Sequence, residues 1–343
     1  MDIANSRVVI TGGAGFIGSH MVDILLSRNN EVIVIDNFST GSWRNLEDHK
    51  NNTLLHVVVA DIRDESEISK CIRGADFVFH LACQNVRLSL RQPTIVHEVN
   101  TTGTLNVLKA SVAGKVRRFL YCSSSEVNGT ASIVPMTEEY HYRPETIYGA
   151  SKLAGEYYTQ VFHRAGWLPS IIARPHNNYG PREHYEGCKG EVIPRFILCA
   201  LSGKSMAIYG DGSQTRDFTY VTETASFMIK LLECDDALGE TYNVCRGEEV
   251  SILRIAEIIS EIIGVDKPYL RLKGRPSDVL RLYGDSTKLE RALGSIPQIS
   301  IRDGLKKTIS WFRENVPVDK KVFASLQYEN WETVEQESFL KDL

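Results

Sequence analysis

Short runs of β-branched and apolar residues recur through the first half of the chain. Arg7 to Thr11 (R-V-V-I-T), Glu31 to Asp36 (E-V-I-V-I-D), Leu54 to Ala60, Asp76 to His80, Arg118 to Cys122 and Leu168 to Arg174 each read as a strand. Helical patterns fill most of the gaps. From Phe16 to about Arg28, Ile17, Met21, Ile24 and Leu25 fall on one face. The strands are apolar throughout and do not alternate, so both their faces are expected to be covered. That pattern predicts an α/β fold of the Rossmann type, a doubly wound parallel sheet with helices on both sides.

After Pro175 the rhythm breaks. A loop rich in Gly, Pro, Asn and charge runs from His176 to Gly190. Shorter helical patterns follow near Val192–Leu201, Thr222–Glu233, Ile252–Ile263 and Ile301–Arg313, with isolated short strands between them. This divides the chain into a sheet domain over residues 1–175 and a smaller mixed α/β region over 176–315. Segments near 217–245 are expected to return to the sheet, and residues 316–343 form a polar tail. No internal repeat or low-complexity segment is visible.

The first strand runs straight into T-G-G-A-G-F-I-G, Thr11 to Gly18, which opens the first helix. Gly12 allows the tight turn, Gly15 lets backbone approach a pyrophosphate, and Gly18 lets helix pack closely on strand. The helix start offers free N–H groups to the anion. A glycine triplet alone is weak, but this one sits between strand and helix and is followed by Asp36 at the end of the second strand. Asp36 can accept both adenosine ribose hydroxyls and repels a 2′-phosphate, which favours NAD over NADP. Asp61, in A-D-I-R after the third strand, reads either as a contact to the adenine edge or as a helix N-cap.

Tyr148 and Lys152 in Y-G-A-S-K are spaced i, i+4 at the start of a helical stretch, on one face. Behind a dinucleotide fold, that pair suits alcohol oxidation. The base that removes the hydroxyl proton as hydride leaves would be a tyrosine, whose hydroxyl titrates near 10. Working at neutral pH needs a depression of roughly 3 units, about 4 kcal/mol, which an adjacent ammonium and a cationic nicotinamide can supply.

Composition narrows the alternatives. With 343 residues, 43% of them hydrophobic, the chain can build a sizeable core. Its 39 basic and 43 acidic residues leave a net charge of -4, so no global field exists to hold a nucleic acid. Seven cysteines, an odd number without C-x-x-C spacing, read as reduced thiols and not as disulfides or a metal site. The N-terminal segment lacks a signal peptide's order and no apolar run approaches membrane length, so a soluble cytoplasmic protein is expected.

In combination these motifs resemble the extended short-chain dehydrogenase/reductase family of NAD-dependent nucleotide-sugar epimerases and dehydratases. The resemblance spans about residues 6–315. It adds H-L-A at His80–Ala82, Asn100, S-S-S-E-V at Ser123–Val127, R-P-H-N-N-Y-G-P at Arg174–Pro181, G-D-G-S-Q-T-R-D at Gly210–Asp217 and G-R-P-S-D at Gly274–Asp278. It implies Ser124, Tyr148 and Lys152 as catalytic triad, with Ser125 and Glu126 beside them. The implied NAD contacts are Gly12, Gly15, Phe16, Ile17 and Gly18, then Asp36, Asn37, Ser39 and Gly41, then Asp61 and Ile62. Leu81, Ala82, Gln84, Asn100, Cys122 and His176, with Tyr148 and Lys152, complete that set. Arg87, Asn177, Arg195, Tyr209, Arg216, Arg275 and Asp278 would hold the nucleotide-diphosphate sugar. The helices around Thr94–Ala113 and Tyr148–Ala165 correspond to those that pair as a four-helix bundle in family homodimers.

The family oxidises carbon 4 of the sugar and then branches. Glu126 stands where dehydratases carry the base for the carbon 5 proton, which points to an NDP-hexose 4,6-dehydratase, a lyase. A structural role for Glu126 is the competing reading. Many dehydratases place an Asp before that Glu, whereas this chain has Ser125, and Asn128 replaces the tyrosine of the usual V-Y-G. The Ser-Glu pair also resembles UDP-glucuronate decarboxylases, but Gln84–Pro93 (Q-N-V-R-L-S-L-R-Q-P) has the epimerase/dehydratase form. The rivals are therefore a 4-epimerase (an isomerase), then a decarboxylase, then a regulator that binds NAD without catalysis. His80 and His176 read as core or backbone-capping residues, Cys122 as packing, and Arg182–Lys189 as a charged loop that closes over the sugar or is merely solvated.

Overall fold

In the computed structural model the predicted strands pair side by side in parallel, with one more strand arriving from much later in the chain. The structure describes residues 1–187, 190–266, 269–274, 280–317 and 319. Arg275 and Asp278 fall outside them.

The chain begins β1 (Arg7–Thr11), α1 (Phe16–Ser27), β2 (Glu31–Asp36), β3 (Leu55–Val59) and α2 (Glu65–Ile72). It continues through β4 (Phe77–His80), α3 (Val86–Ser89), α4 (Pro93–His97), α5 (Thr104–Ala113) and β5 (Arg118–Cys122). Then come α6 (Ile147–Arg164), β6 (Ser170–Pro175), β7 (Asn178–Tyr179), α7 (Val192–Leu201), β8 (Ala207–Tyr209), β9 (Thr215–Asp217) and β10 (Thr219–Tyr220). The remainder is α8 (Val221–Glu233), β11 (Thr241–Val244), β12 (Glu249–Ser251), α9 (Ile252–Ile263), β13 (Leu270–Leu272), β14 (Arg281–Leu282), α10 (Thr287–Leu293) and α11 (Ile301–Asn315).

The main sheet has seven strands in the order β11-β6-β5-β4-β1-β2-β3, every pairing parallel. Along β1 the side chains alternate between two cores. Val8 and Ile10 join Met21, Leu25, Met228 and Leu232 under α1 and α8. Val9 joins Val78, Val107 and Phe119 under α2, α5 and α6. That double burial is why the sequence shows continuous apolar runs. The exception is β3, whose Val59 is 65% exposed, because an edge strand has only β2 beside it. A third core, built on Ile193, Phe196, Ile255, Ile259, Leu305 and Phe312, holds α7, α9 and α11 together in the smaller region. There the strands are two or three residues long and form the sheets β12-β9-β14, β10-β7 and β13-β8.

Consecutive strands leave β1 in opposite directions, β2 to one side and β4 to the other. The helices that follow cross on opposite faces, so a crevice opens at the carboxyl ends of β1 and β4.

Candidate active site

The crevice is one continuous cavity of about 500 Å³, within the range of small-ligand sites. At one end lies the glycine turn. Gly12 has φ +72°, and a Cβ there would lie 2.8 Å from the Ala82 nitrogen. A Cβ on Gly18 would lie 2.3 Å from the Gly12 carbonyl oxygen. Both positions therefore require glycine. Gly15 caps α1 without a side-chain bond, which leaves first-turn N–H groups for an anion. Asp36 accepts the N–H of Ala14 at 3.0 Å and of Phe38 at 2.8 Å, which pins its carboxylate at the end of β2. Burial raises its pKa and these two bonds lower it. The combination suits a dinucleotide.

Phe16, Ile17, Asn37, Ser39, Ile62, Leu81, Ala82 and Gln84 line the cavity with these residues. Three expected contacts do not. Gly41 packs under Asp36, where a Cβ would lie 2.8 Å from the carboxylate. Asn100 is buried behind the wall, accepting the Gln84 N–H at 2.7 Å and donating to Ser151 Oγ at 3.0 Å. It stands on a π-helical turn, Glu98–Gly103, whose Val99 reaches the cavity in its place. His176 lies past the end of β6 with its ring against Gly284, and Pro175 and Asn177 on either side face the cleft instead. The N-cap reading of Asp61 is corrected too. Asp64 caps α2, accepting from Ser66 and Glu67, while Asp61 lines the cavity and holds Asn37 and Arg63.

At the other end, Thr146 caps α6 by accepting the Gly149 N–H at 3.0 Å, so Tyr148 sits in the first turn and Lys152 one turn later. Lys152 Nζ donates to the Cys122 carbonyl and stands 4.7 Å from the Tyr121 ring centre. Cys122 thus borders the cavity and also anchors the ammonium, more than the packing role expected of it. Burial pushes its thiol up to about 12. The Ser124 hydroxyl is hydrogen-bonded to Tyr148 and accepts the Glu126 N–H at 3.2 Å, capping the 3₁₀ turn Ser125–Val127. Burial raises the Tyr148 hydroxyl above its ordinary value, while Lys152 and Ser124 pull it down. Ser124, Ser125, Glu126, Tyr148 and Lys152 therefore share one wall.

Beneath that wall lies a pair the sequence did not announce. Arg174 donates from Nε and Nη2 to the two oxygens of Glu156, each at 2.7 Å, and Ser123 Oγ donates to the same carboxylate at 2.5 Å. Arg174 also reaches the Glu138 carbonyl and the Tyr142 hydroxyl. This network ties α6, one turn beyond Lys152, to β5 and β6.

Arg195, Tyr209 and Arg216 stand across the cleft, and Arg87 and Asn177 line the same cavity. Asn177 Nδ2 is buried without a partner among the described residues, an open donor at the cavity wall. Arg195 donates to the Gly187 carbonyl and Arg216 to that of Thr215. Sequence reasoning missed Glu183 and Glu191. Glu191 stands at the N-cap of α7, a boundary that Pro194 in the first turn signals. Nothing in P-R-E marks Glu183. Among the described residues no cluster of three His, Cys, Asp or Glu can hold a metal, and no helix is long and apolar enough to cross a membrane.

Comparison with known proteins agrees with this geometry. A family model described as GDP-mannose 4,6 dehydratase matches residues 9–308. A putative UDP-glucose 4-epimerase of Methanocaldococcus jannaschii is 35% identical over 90% of this chain and 99% of its own length. UDP-glucuronic acid decarboxylase 4 of Arabidopsis thaliana is 34% identical over 92% of this chain and 70% of its own. The structure of DesIV, a dTDP-glucose 4,6-dehydratase from Streptomyces venezuelae with NAD bound, superposes with a TM-score of 0.86. It is 32% identical, over 92% of this chain and 99% of that one.

Proposed function

This chain belongs to the GDP-mannose 4,6-dehydratase family of nucleotide-sugar enzymes within the extended short-chain dehydrogenases/reductases, and on that premise we propose that it is an NAD-dependent NDP-hexose 4,6-dehydratase. The observation that carries this reading is the position of Glu126. It faces the same cavity as Tyr148 and Lys152, on the turn that Ser124 caps.

Bound between the glycine turn and Cys122, NAD would take hydride from carbon 4 and return it to carbon 6. Gly15 and the start of α1 receive its pyrophosphate, and Asp36 its adenosine ribose. Asn177, Arg195 and Arg216 hold the substrate diphosphate, with Arg275 and Asp278 proposed alongside them. Tyr148, polarised by Lys152 and hydrogen-bonded to Ser124, removes the 4-hydroxyl proton. Oxidation at carbon 4 acidifies carbon 5, and Glu126 takes that proton. It leaves with the carbon 6 hydroxyl as water. As hydride reaches carbon 6, a proton from solvent reaches carbon 5, and Tyr148 releases to solvent the proton it took from the 4-hydroxyl; the product is a 4-keto-6-deoxy sugar.

A second reading, a 4-epimerase, is favoured by Ser125, which replaces the acid many dehydratases carry, and by the archaeal relative named above. Mass spectrometry of products from UDP-, dTDP-, GDP- and CDP-hexoses separates the two. Loss of water supports dehydration, and an unchanged mass with altered stereochemistry supports epimerisation. Exposed Tyr157 and Val161 on α6 support a homodimer formed through this helix, which sedimentation would test.

A further inference from the structure

Arg87 was expected to meet substrate, yet it meets Glu191. Its Nη1 and Nη2 donate to Glu191 Oε1 at 2.6 Å and Oε2 at 2.8 Å. Arg87 lies on α3, which packs against α6, the helix of Tyr148 and Lys152. Glu191 occupies the N-cap position of α7 across the cleft. The bridge therefore spans the cavity on the catalytic side, and both partners line it. A guanidinium engaged at both forks is a poor receptor for another carboxylate, because its two parallel donors are already used.

Glu183 stands beside this bridge and lines the same cavity, 3% exposed, with Oε2 accepting the Gly180 N–H at 3.1 Å. Burial and then the charge of Glu191 hold its carboxyl well above the usual carboxylate range, with Arg87 offsetting this only in part. Any carboxylate entering beside it meets the same desolvation and the same neighbour.

We propose that the Arg87–Glu191 bridge, with Glu183 beside it, sets the substrate class of this cleft: nucleotide-diphosphate hexoses uncharged at carbon 6 are accepted and hexuronates are refused. The proposal rests on the nucleotide-sugar reading above and sharpens it. A uronate carboxylate would have to displace Glu191 from Arg87 or lie against the Glu191 carboxylate, and like-charge juxtaposition of that kind is strongly unfavourable. A carbon 6 hydroxyl needs neither. It can lie beside the bridge while the bridge stays closed.

The test is calorimetric binding to NAD-loaded protein of two matched pairs, UDP-glucose with UDP-glucuronate and GDP-mannose with GDP-mannuronate. UDP and GDP alone set the baselines. We expect the neutral member of whichever pair binds to be at least about ten-fold tighter than its uronate. In Glu191→Gln, which keeps the volume and releases the guanidinium, that ratio should fall to within about two-fold or invert. A wild-type protein that binds the uronate as tightly overturns the proposal, and so does a Glu191→Gln ratio equal to wild type. Binding of no member of either pair also counts against it. The wild-type ratio stands even if the variant fails to fold. If the neutral sugar is epimerised and not dehydrated, the reaction assignment fails and the selectivity survives. If the uronate is preferred, the selectivity fails and product masses still decide the reaction.

Discussion

Two arginine–glutamate pairs, one in each half of the molecule, share a geometry and differ in where it is placed. Arg174 grips Glu156 through Nε and Nη2 at 2.7 Å each. Arg281 grips Glu249 through the same two nitrogens, also at 2.7 Å each. The first pair is 0% and 1% exposed and lies under α6. The second is 50% and 22% exposed, on the three-stranded sheet of the smaller region. Equal distances therefore say nothing about equal energies. In the buried pair each charge has lost water and depends on its partner, so breaking it strands a charge. In the exposed pair water replaces whichever partner leaves, and salt screens what remains. The buried pair fails all at once when either partner is lost, whereas the exposed pair can come and go.

Removing one partner of the buried pair should have the largest effect. Arg174→Met leaves the Glu156 carboxylate uncompensated among β5, β6 and α6 and should cost about 3–5 kcal/mol in denaturant unfolding. The double variant Glu156→Leu/Arg174→Met should recover most of that loss, because neither charge is then stranded. A cost below about 1 kcal/mol for the single variant would mean that burial does not separate the two pairs.

Tyr148→Phe separates what α6 carries from what holds it. Turnover of the substrate sugar should fall by about 10²–10⁴-fold, as loss of a positioned base predicts. Stability should stay within about 0.5 kcal/mol of wild type, since the Glu156–Arg174 anchor is untouched. A comparable loss of stability would show that the anchor and the chemistry are one unit.

The same contrast explains what the sequence revealed. The sheet half was legible because its strands are long enough to show a pattern and its ligand groups are backbone groups fixed by local rules. Gly12, Gly18 and Asp36 can be placed from their spacing alone. Tyr148 and Lys152 follow from a single helical turn. Gly41, Asn100 and His176 do not line the cavity, because proximity in sequence to a contact does not decide which wall a side chain faces. His176 turns inward where its neighbours Pro175 and Asn177 turn outward. Glu156 and Arg174 are 18 residues apart, and no local rule pairs them. In the smaller half, strands such as β9 and β14 span two or three residues, too few for any periodicity. The Arg87–Glu191 bridge joins positions 104 residues apart. Only the fold brings such partners together.

A further buried group of the sheet half makes burial visible as pH dependence. His80 accepts or donates at Thr11 Oγ1, 2.6 Å away, and at Thr104 Oγ1, 2.9 Å away. Burial, helped by the charge of Lys152, lowers its pKa to about 3. Unfolded, the ring takes up a proton below about pH 6.5, whereas folded it does not. The unfolded state therefore binds more protons in this window, so stability is present above pH 6.5 and is lost as pH falls. Between pH 6.5 and 5 the loss should be about 1.6 kcal/mol, because the unfolded ring is only half protonated at pH 6.5. Urea unfolding of wild type and His80→Asn across that range should differ in slope by this amount. Parallel slopes would remove His80 from the account.

The smallest effect belongs to the exposed pair, and it should appear in binding before it appears in stability. Glu249 is on β12 and Arg281 on β14, the two strands that flank β9. β9 carries Arg216, which faces the cleft. The pair thus clips together the outer strands of the sheet that presents Arg216, the arginine proposed to meet the diphosphate, and Glu249 also accepts from the Thr215 hydroxyl next to it. Arg281→Ala releases the clip while the backbone pairing of the three strands persists. The unfolding curve should hardly move, since water takes the place of the lost guanidinium. KM for the nucleotide sugar should rise about two- to three-fold with kcat unchanged, because Arg216 becomes less well positioned for the diphosphate and the chemistry on α6 is untouched. Raising the salt concentration should bring wild type toward the variant, since screening weakens the same interaction the substitution removes. A large loss of stability in Arg281→Ala would show that the exposed clip acts like the buried anchor, and geometry would then predict energy after all.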